Sequence, residues 1–166
     1  MNKVDLTTLM QFNFWANGCI LATCEQLTPE QFTQPLNPDP GWGSLRGILV
    51  HLLDTEYGWR SVLQNQDSPV LDEAGFPDIQ SLKNQWQTEK EAWLNYLNNL
   101  TDEMIEQSDK ESAPDSMTIQ QTITHVATHG IQHRSEAAFI LTSYGHSPGE
   151  LDYDIFVKLS TDNTES

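Results

Sequence analysis

The chain has 166 residues, a length suited to one domain built around a single core. Its 24 Asp and Glu against 8 Lys and Arg give a formal charge of −16, a field that repels phosphate backbones and anionic lipid and so argues against nucleic acid or a membrane as partner. Only two cysteines occur, Cys19 and Cys24, on different parts of one helical surface. They form no disulfide framework, and no run has signal-peptide or membrane-spanning character, so a cytoplasmic protein is expected.

Helical periodicity occupies four long segments, and nothing alternates with period two for long enough to make a sheet. The first segment covers about residues 5–26, with Leu6, Leu9, Met10, Ile20 and Leu21 on one stripe. Thr28-Pro29-Glu30 then supplies a cap and a proline at the first position of a short helical turn. A breaker-rich stretch at residues 35–43 follows. Ser44 caps the second long segment, residues 45–64, whose Leu45, Ile48, Leu49, Leu52, Trp59 and Leu63 face inward. Residues 67–77 read as loop from their prolines and glycine, and the third segment covers about 78–100.

Thr101 caps a brief turn, and residues 112–116 form another loop. Thr118 caps the last long segment, which runs to about Tyr144 with Gly145 as the residue that ends it. Beyond it lie a weak amphipathic stretch at 152–159 and a polar tail, 161–166, expected to be disordered. Residues 1–160 thus read as one all-α domain, a four-helix bundle. The connections exceed the usual two to eight residues, so a long crossover is allowed; periodicity alone does not order the helices.

Three of the five histidines, His125, His129 and His133, recur every four residues on the last helix. Neighbours at that spacing share a helix face and can chelate one ion. All three cannot, because His125 and His133 lie about 12 Å apart along the axis at 1.5 Å of rise per residue. On the helical wheel Ile119, Ile123, Val126, Ala137, Leu141 and Tyr144 mark the inward stripe. His133 falls within it, His129 on its shoulder and His125 nearer solvent, so His129 and His133 are the expected pair.

A third ligand must come from elsewhere. His146 follows the helix end, about 20 Å of rise beyond His133, whereas His51 sits in the second long helix on the flank of its apolar stripe. His51, His129 and His133 make a three-nitrogen set with an open position, as a reactive metal needs; imidazole suits Zn²⁺, Ni²⁺ and related ions without selecting among them. Val126 and Gly130 stand directly after His125 and His129, where a zinc protease of the His-Glu-x-x-His type carries its glutamate, so that chemistry is not expected.

Several other polar residues face inward. Asn13 and Asn17 share the apolar stripe of the first helix and need partners, either to pin helix register or to support a metal ligand. Glu56 is inward on the second long helix, as a paired structural carboxylate, a fourth ligand or a general base. Glu136 lies near the His129 face. Arg134, on the opposite shoulder, is expected to fix a loop or a carboxylate. Trp42, between Gly41 and Gly43, is the tryptophan placed to line a pocket.

Three stretches also carry a family likeness: Phe14-Trp15-Ala16-Asn17, the run from Ser44 to Asp54 with His51 inside it, and His125-Val126-Ala127-Thr128-His129-Gly130-Ile131-Gln132-His133-Arg134. With them the chain resembles the DinB-like superfamily of bacterial metal-binding bundles, related to YfiT-type hydrolases, over about residues 6–156. The resemblance implies an up-down-down-up bundle, a nickel or zinc centre on His51, His129 and His133, and a homodimer. It further implies a metal-dependent hydrolase or low-molecular-weight-thiol transferase acting on a small molecule, with regulation by stress in some relatives. Relatives usually continue Gly-Gln after His-Arg, whereas this chain has Ser135-Glu136. A different class stays open: a non-catalytic bundle that binds or senses a metal or small ligand.

Overall fold

The computed structural model describes residues 1–107 and 117–162. The loop expected at 112–116 lies outside the described residues. Seven helices are seen in them: α1 (Lys3–Cys24), α2 (Pro29–Thr33), α3 (Leu45–Leu63), α4 (Ile79–Asn99), α5 (Asp102–Ile105), α6 (Ile119–Ser143) and α7 (Tyr153–Asp162). No strand occurs among the described residues, and no helix there is long and apolar enough to cross a membrane. The fold is all-helical, with the four long helices as its body.

Local chemistry sets the boundaries. Asn2, Ser44, Asp78 and Thr118 each accept a hydrogen bond from the backbone N–H three residues on, satisfying a donor the helix leaves open at its start. At the end of α6, Gly145 takes a left-handed φ of 87°. His146 N–H then reaches Leu141 O and Gly145 N–H reaches Thr142 O, the paired bonds of a Schellman stop. Asn65, at φ 52°, ends α3 in the same way.

Helix directions follow from which ends meet. Leu6 and Met10 of α1 pack with Trp93 and Leu97 of α4, with Leu100 just past its end, and with Ile123 and Val126 of α6. Ile20 and Leu21, about three turns beyond Met10 on α1, pack with Leu82 and Trp86 and with Ala137 and Leu141. So α1 and α6 run together, with α4 opposed to both. Leu45 to Leu53 share the second cluster while Trp59 and Leu63 flank the first, which makes α3 parallel to α4. The order is up-down-down-up. It requires the chain to return the full bundle length between α3 and α4, and that segment is tied down as it passes. Leu71 N–H donates to Asp54 and Arg46 to Glu73.

The two apolar clusters are separated by a buried polar layer, described below. A third cluster lies outside the bundle, where Phe156 of α7 meets Phe12, Trp15 and Ala16 of α1. Thr161 and Asp162, expected in the tail, belong to the last turn of α7; residues 163–166 lie outside the described ones.

Candidate metal centre

His51 reaches inward from α3, and His129 and His133 from successive turns of the antiparallel α6. One nitrogen from each imidazole lies within 4.8 Å of the others. His51 Nε2 and His129 Nε2 are 3.2 Å apart. Two nitrogens bound to one ion at ~2.1 Å in tetrahedral geometry stand about 3.4 Å apart, so this spacing suits a shared cation. His133 is buried and the other two are half-buried.

Burial holds the His129 imidazole down at about 4, reinforced by His133, His51 and His125. Burial and His133 depress His51 too, against the pull of Asp54 and Glu136. Neutral imidazole, with a lone pair on one nitrogen, is the ligating form.

Two of the three rings are held by a neighbour outside the cluster. Glu136 Oε2 lies 2.8 Å from His133 Nδ1; an ionised carboxylate only accepts, so Nδ1 carries the proton and Nε2 is left to ligate. Trp42 stacks on His51, ring centroids 3.5 Å apart, and meets His133 edge-on at 5.6 Å. The Trp42 loop is itself braced by one Asp39 oxygen, which accepts from the N–H groups of Gly41, Trp42 and Gly43. His129 Nδ1 is buried and has no hydrogen-bond partner among the described residues. A buried unpaired imidazole nitrogen is costly. Three imidazoles converging in this way, two of their Nε2 atoms 3.2 Å apart, form a donor set that fits a bound cation.

The remaining polar residues fall elsewhere. His125 keeps company with Trp59, at 5.3 Å between rings, and stands one turn short of the cluster. His146 lies against Gln26 at the far end of α6. Glu56 is fully buried and is absent from the histidine cluster. Its Oε1 accepts from Asn13 and Asn17 at 2.7 Å each, and its Oε2 from Trp86. The same two amides turn their oxygens to Arg134 Nη1. Asn13 and Asn17 therefore relay a buried ion pair between Glu56 of α3 and Arg134 of α6. Of the roles open to Glu56, the structural carboxylate is the one its contacts fill.

Sequence reasoning missed two features. The Glu136–His133 pair had a signal, an acid three residues after a histidine on one helix. The seating of Trp42 on His51 had none, because a loop residue contacts a helix only through tertiary packing.

Two clefts adjoin the centre. One, of about 530 Å³, is bounded by Trp42, His51, Val50 and the return segment at Leu71. The other, of about 720 Å³, lies between the 34–40 loop and the last turns of α6, with Glu136 in its wall.

The chain is similar to known proteins in sequence and in fold. The family model described as the DinB family matches residues 1–164. Protein DinB of Bacillus subtilis (strain 168) is 20% identical over 159 residues, covering 90% of this chain and 91% of that protein. A solved Enterococcus faecalis structure, described as a conserved protein of its locus, superposes with a TM-score of 0.63 at 14% identity. It covers 85% of this chain and 96% of its own. At that identity the likeness speaks for the fold.

Proposed function

We propose, for a chain that belongs to the DinB family, that His51, His129 and His133 hold a divalent transition metal, nickel or zinc, at a catalytic centre. The reaction proposed is hydrolysis, or transfer of a low-molecular-weight thiol, on a small-molecule substrate. The observation that carries this reading is the convergence of three imidazoles, two of whose Nε2 atoms are only 3.2 Å apart.

Three histidines leave a metal an open position, at which a bound ion lowers the pKa of water or thiol and polarises an electrophile. The chain's own residues do the rest. Glu136 holds the His133 ring in one tautomer and orientation. Trp42 shields one face of His51 from water. Clefts on either side of the Trp42 loop leave the substrate a way in.

The test is elemental analysis of protein purified without chelators, followed by hydrolysis and thiol-transfer screens with metal present and removed. About one metal per chain is expected, lost in His51→Ala, with activity that follows the metal. Substoichiometric metal in wild type would sink the reading.

One observation favours a non-catalytic binding or sensing role. Glu136 is committed to His133 and Glu56 to the buried amides, so neither stands ready as a general base. Stoichiometric metal with no turnover across both screens would decide for that alternative.

A further inference from the structure

The openings beside the imidazoles carry one sign of charge. In the 720 Å³ cleft the walls are largely apolar, with Pro35, Leu36, Phe139, Ile140 and Tyr144, and the charged groups are Asp39 and Glu136. In the 530 Å³ cleft the charged groups are Asp54, Asp72 and Glu73, the last paired with Arg46. Among the described residues no lysine or arginine lines either one. The chain does place cations at a groove elsewhere: Lys83 and Lys90 line the one between α1 and α4, away from the α3–α6 face that carries the histidines.

The larger cleft is joined to the centre by a single side chain. Glu136 lines the cleft and lies 2.8 Å from His133 Nδ1. At the other wall, Asp39 braces the backbone of Trp42, which covers His51. Along the cleft, Phe139 is 75% exposed, a large apolar surface that an apolar ligand would remove from water.

We propose that this cleft binds the apolar, aryl or alkyl, body of the substrate, and that the substrate's head group is neutral or cationic. An anionic head would meet Glu136 and Asp39 in a partly apolar site whose described lining holds no lysine or arginine, under the field of a −16 chain. The inference rests on the metal-centre reading for the word substrate, but the charge selection belongs to the cleft alone. It favours hydrolysis of an uncharged or basic compound over transfer of a carboxylate-bearing thiol.

Three probes with one aromatic body, benzylamine, benzyl alcohol and benzoate, test it by NMR titration of the full chain, metal-free and metal-loaded. Benzylamine and benzyl alcohol should shift the resonances of Phe139, Ile140 and Tyr144, and benzoate should bind at least about tenfold more weakly than benzylamine. Phe139→Ser should weaken both binders. Ser135→Lys, at an exposed position in the cleft wall, should bring benzoate up to or past benzylamine. The order should hold in the metal-free protein, so a failed metal centre leaves it intact, while a failed cleft leaves metal stoichiometry intact. Benzoate binding as well as benzylamine, or all three leaving the cleft unmoved, would overturn the proposal. So would a wild-type dimer, seen by sedimentation, that Phe139→Ser dissociates, for then a second copy covers the cleft.

Discussion

Trp42 lies flat on His51, ring centroids 3.5 Å apart and planes within 12° of parallel. The contact depends on Gly47, one turn before His51 on α3. A Cβ built there would stand 1.9 Å from the backbone oxygen of Trp42. Backbone cannot swing aside as a side chain can, so Gly47→Ala should push the loop off the imidazole. The expected cost is about 1–3 kcal/mol of stability from overpacking, with a changed tryptophan emission and weaker metal binding. Unaltered emission and metal affinity would show that the loop can give without releasing the ring.

Gly130 is held to its identity by the polar layer. Its added Cβ would lie 2.5 Å from both Arg134 Nη1 and Asn13 Oδ1. Gly130→Ala should therefore separate the guanidinium from the amides that relay it to Glu56, at about 3 kcal/mol or more, since a buried charge loses its partners. Gly18 is the control, helical and exposed with nothing within 4 Å of its Cβ. There alanine should stabilise by about 0.5–1 kcal/mol. Urea unfolding of the two variants side by side reads the contrast.

Glu136→Gln keeps the shape of the side chain and removes the charge that accepts from His133. Loss of such a supporting partner lowers metal affinity by roughly 10–100-fold, and competition with a chromophoric chelator measures it. Fold stability in the metal-free state should move little, because Glu136 is partly exposed. Equal affinity in variant and wild type would show that Glu136 does not orient the ring.

Glu56 imposes a pH dependence of known sign. Burial raises its folded pKa, opposed by Asn13, Asn17, Arg134 and Trp86. Between the unfolded value, about 4.3, and the raised folded value, the native state holds more protons than the unfolded one. Stability from this group is full below the lower value and is lost as pH rises through the upper. Relative to Glu56→Gln, which does not titrate, wild type should lose unfolding free energy across that window. A difference that stays flat from pH 4 upward would contradict the shift.

The histidines show how far one sequence reaches. The spacing of His129 and His133, and the wheel that sets His125 aside, depend on one helix and were legible. His51 could be nominated from its flank position and from reach, but not placed. Arg134 shows the limit: its helix shoulder suggested a carboxylate partner, yet the contact runs through two amides on a third helix.

The sequence by itself determined the helix boundaries, through caps and stop signals acting within a few residues, and the apolar faces, through a 3.6-residue period. It also determined that His129 and His133 stand side by side, because i and i+4 on a helix are neighbours whatever surrounds them. Tertiary structure decided the rest: that α3 is antiparallel to α6 and brings His51 Nε2 to 3.2 Å from His129 Nε2, that Trp42 seats on His51, and that Glu56 is sealed away with Asn13 and Asn17. Those distances depend on how apolar surfaces from distant segments interlock, and helix register is set by that packing rather than by any local signal.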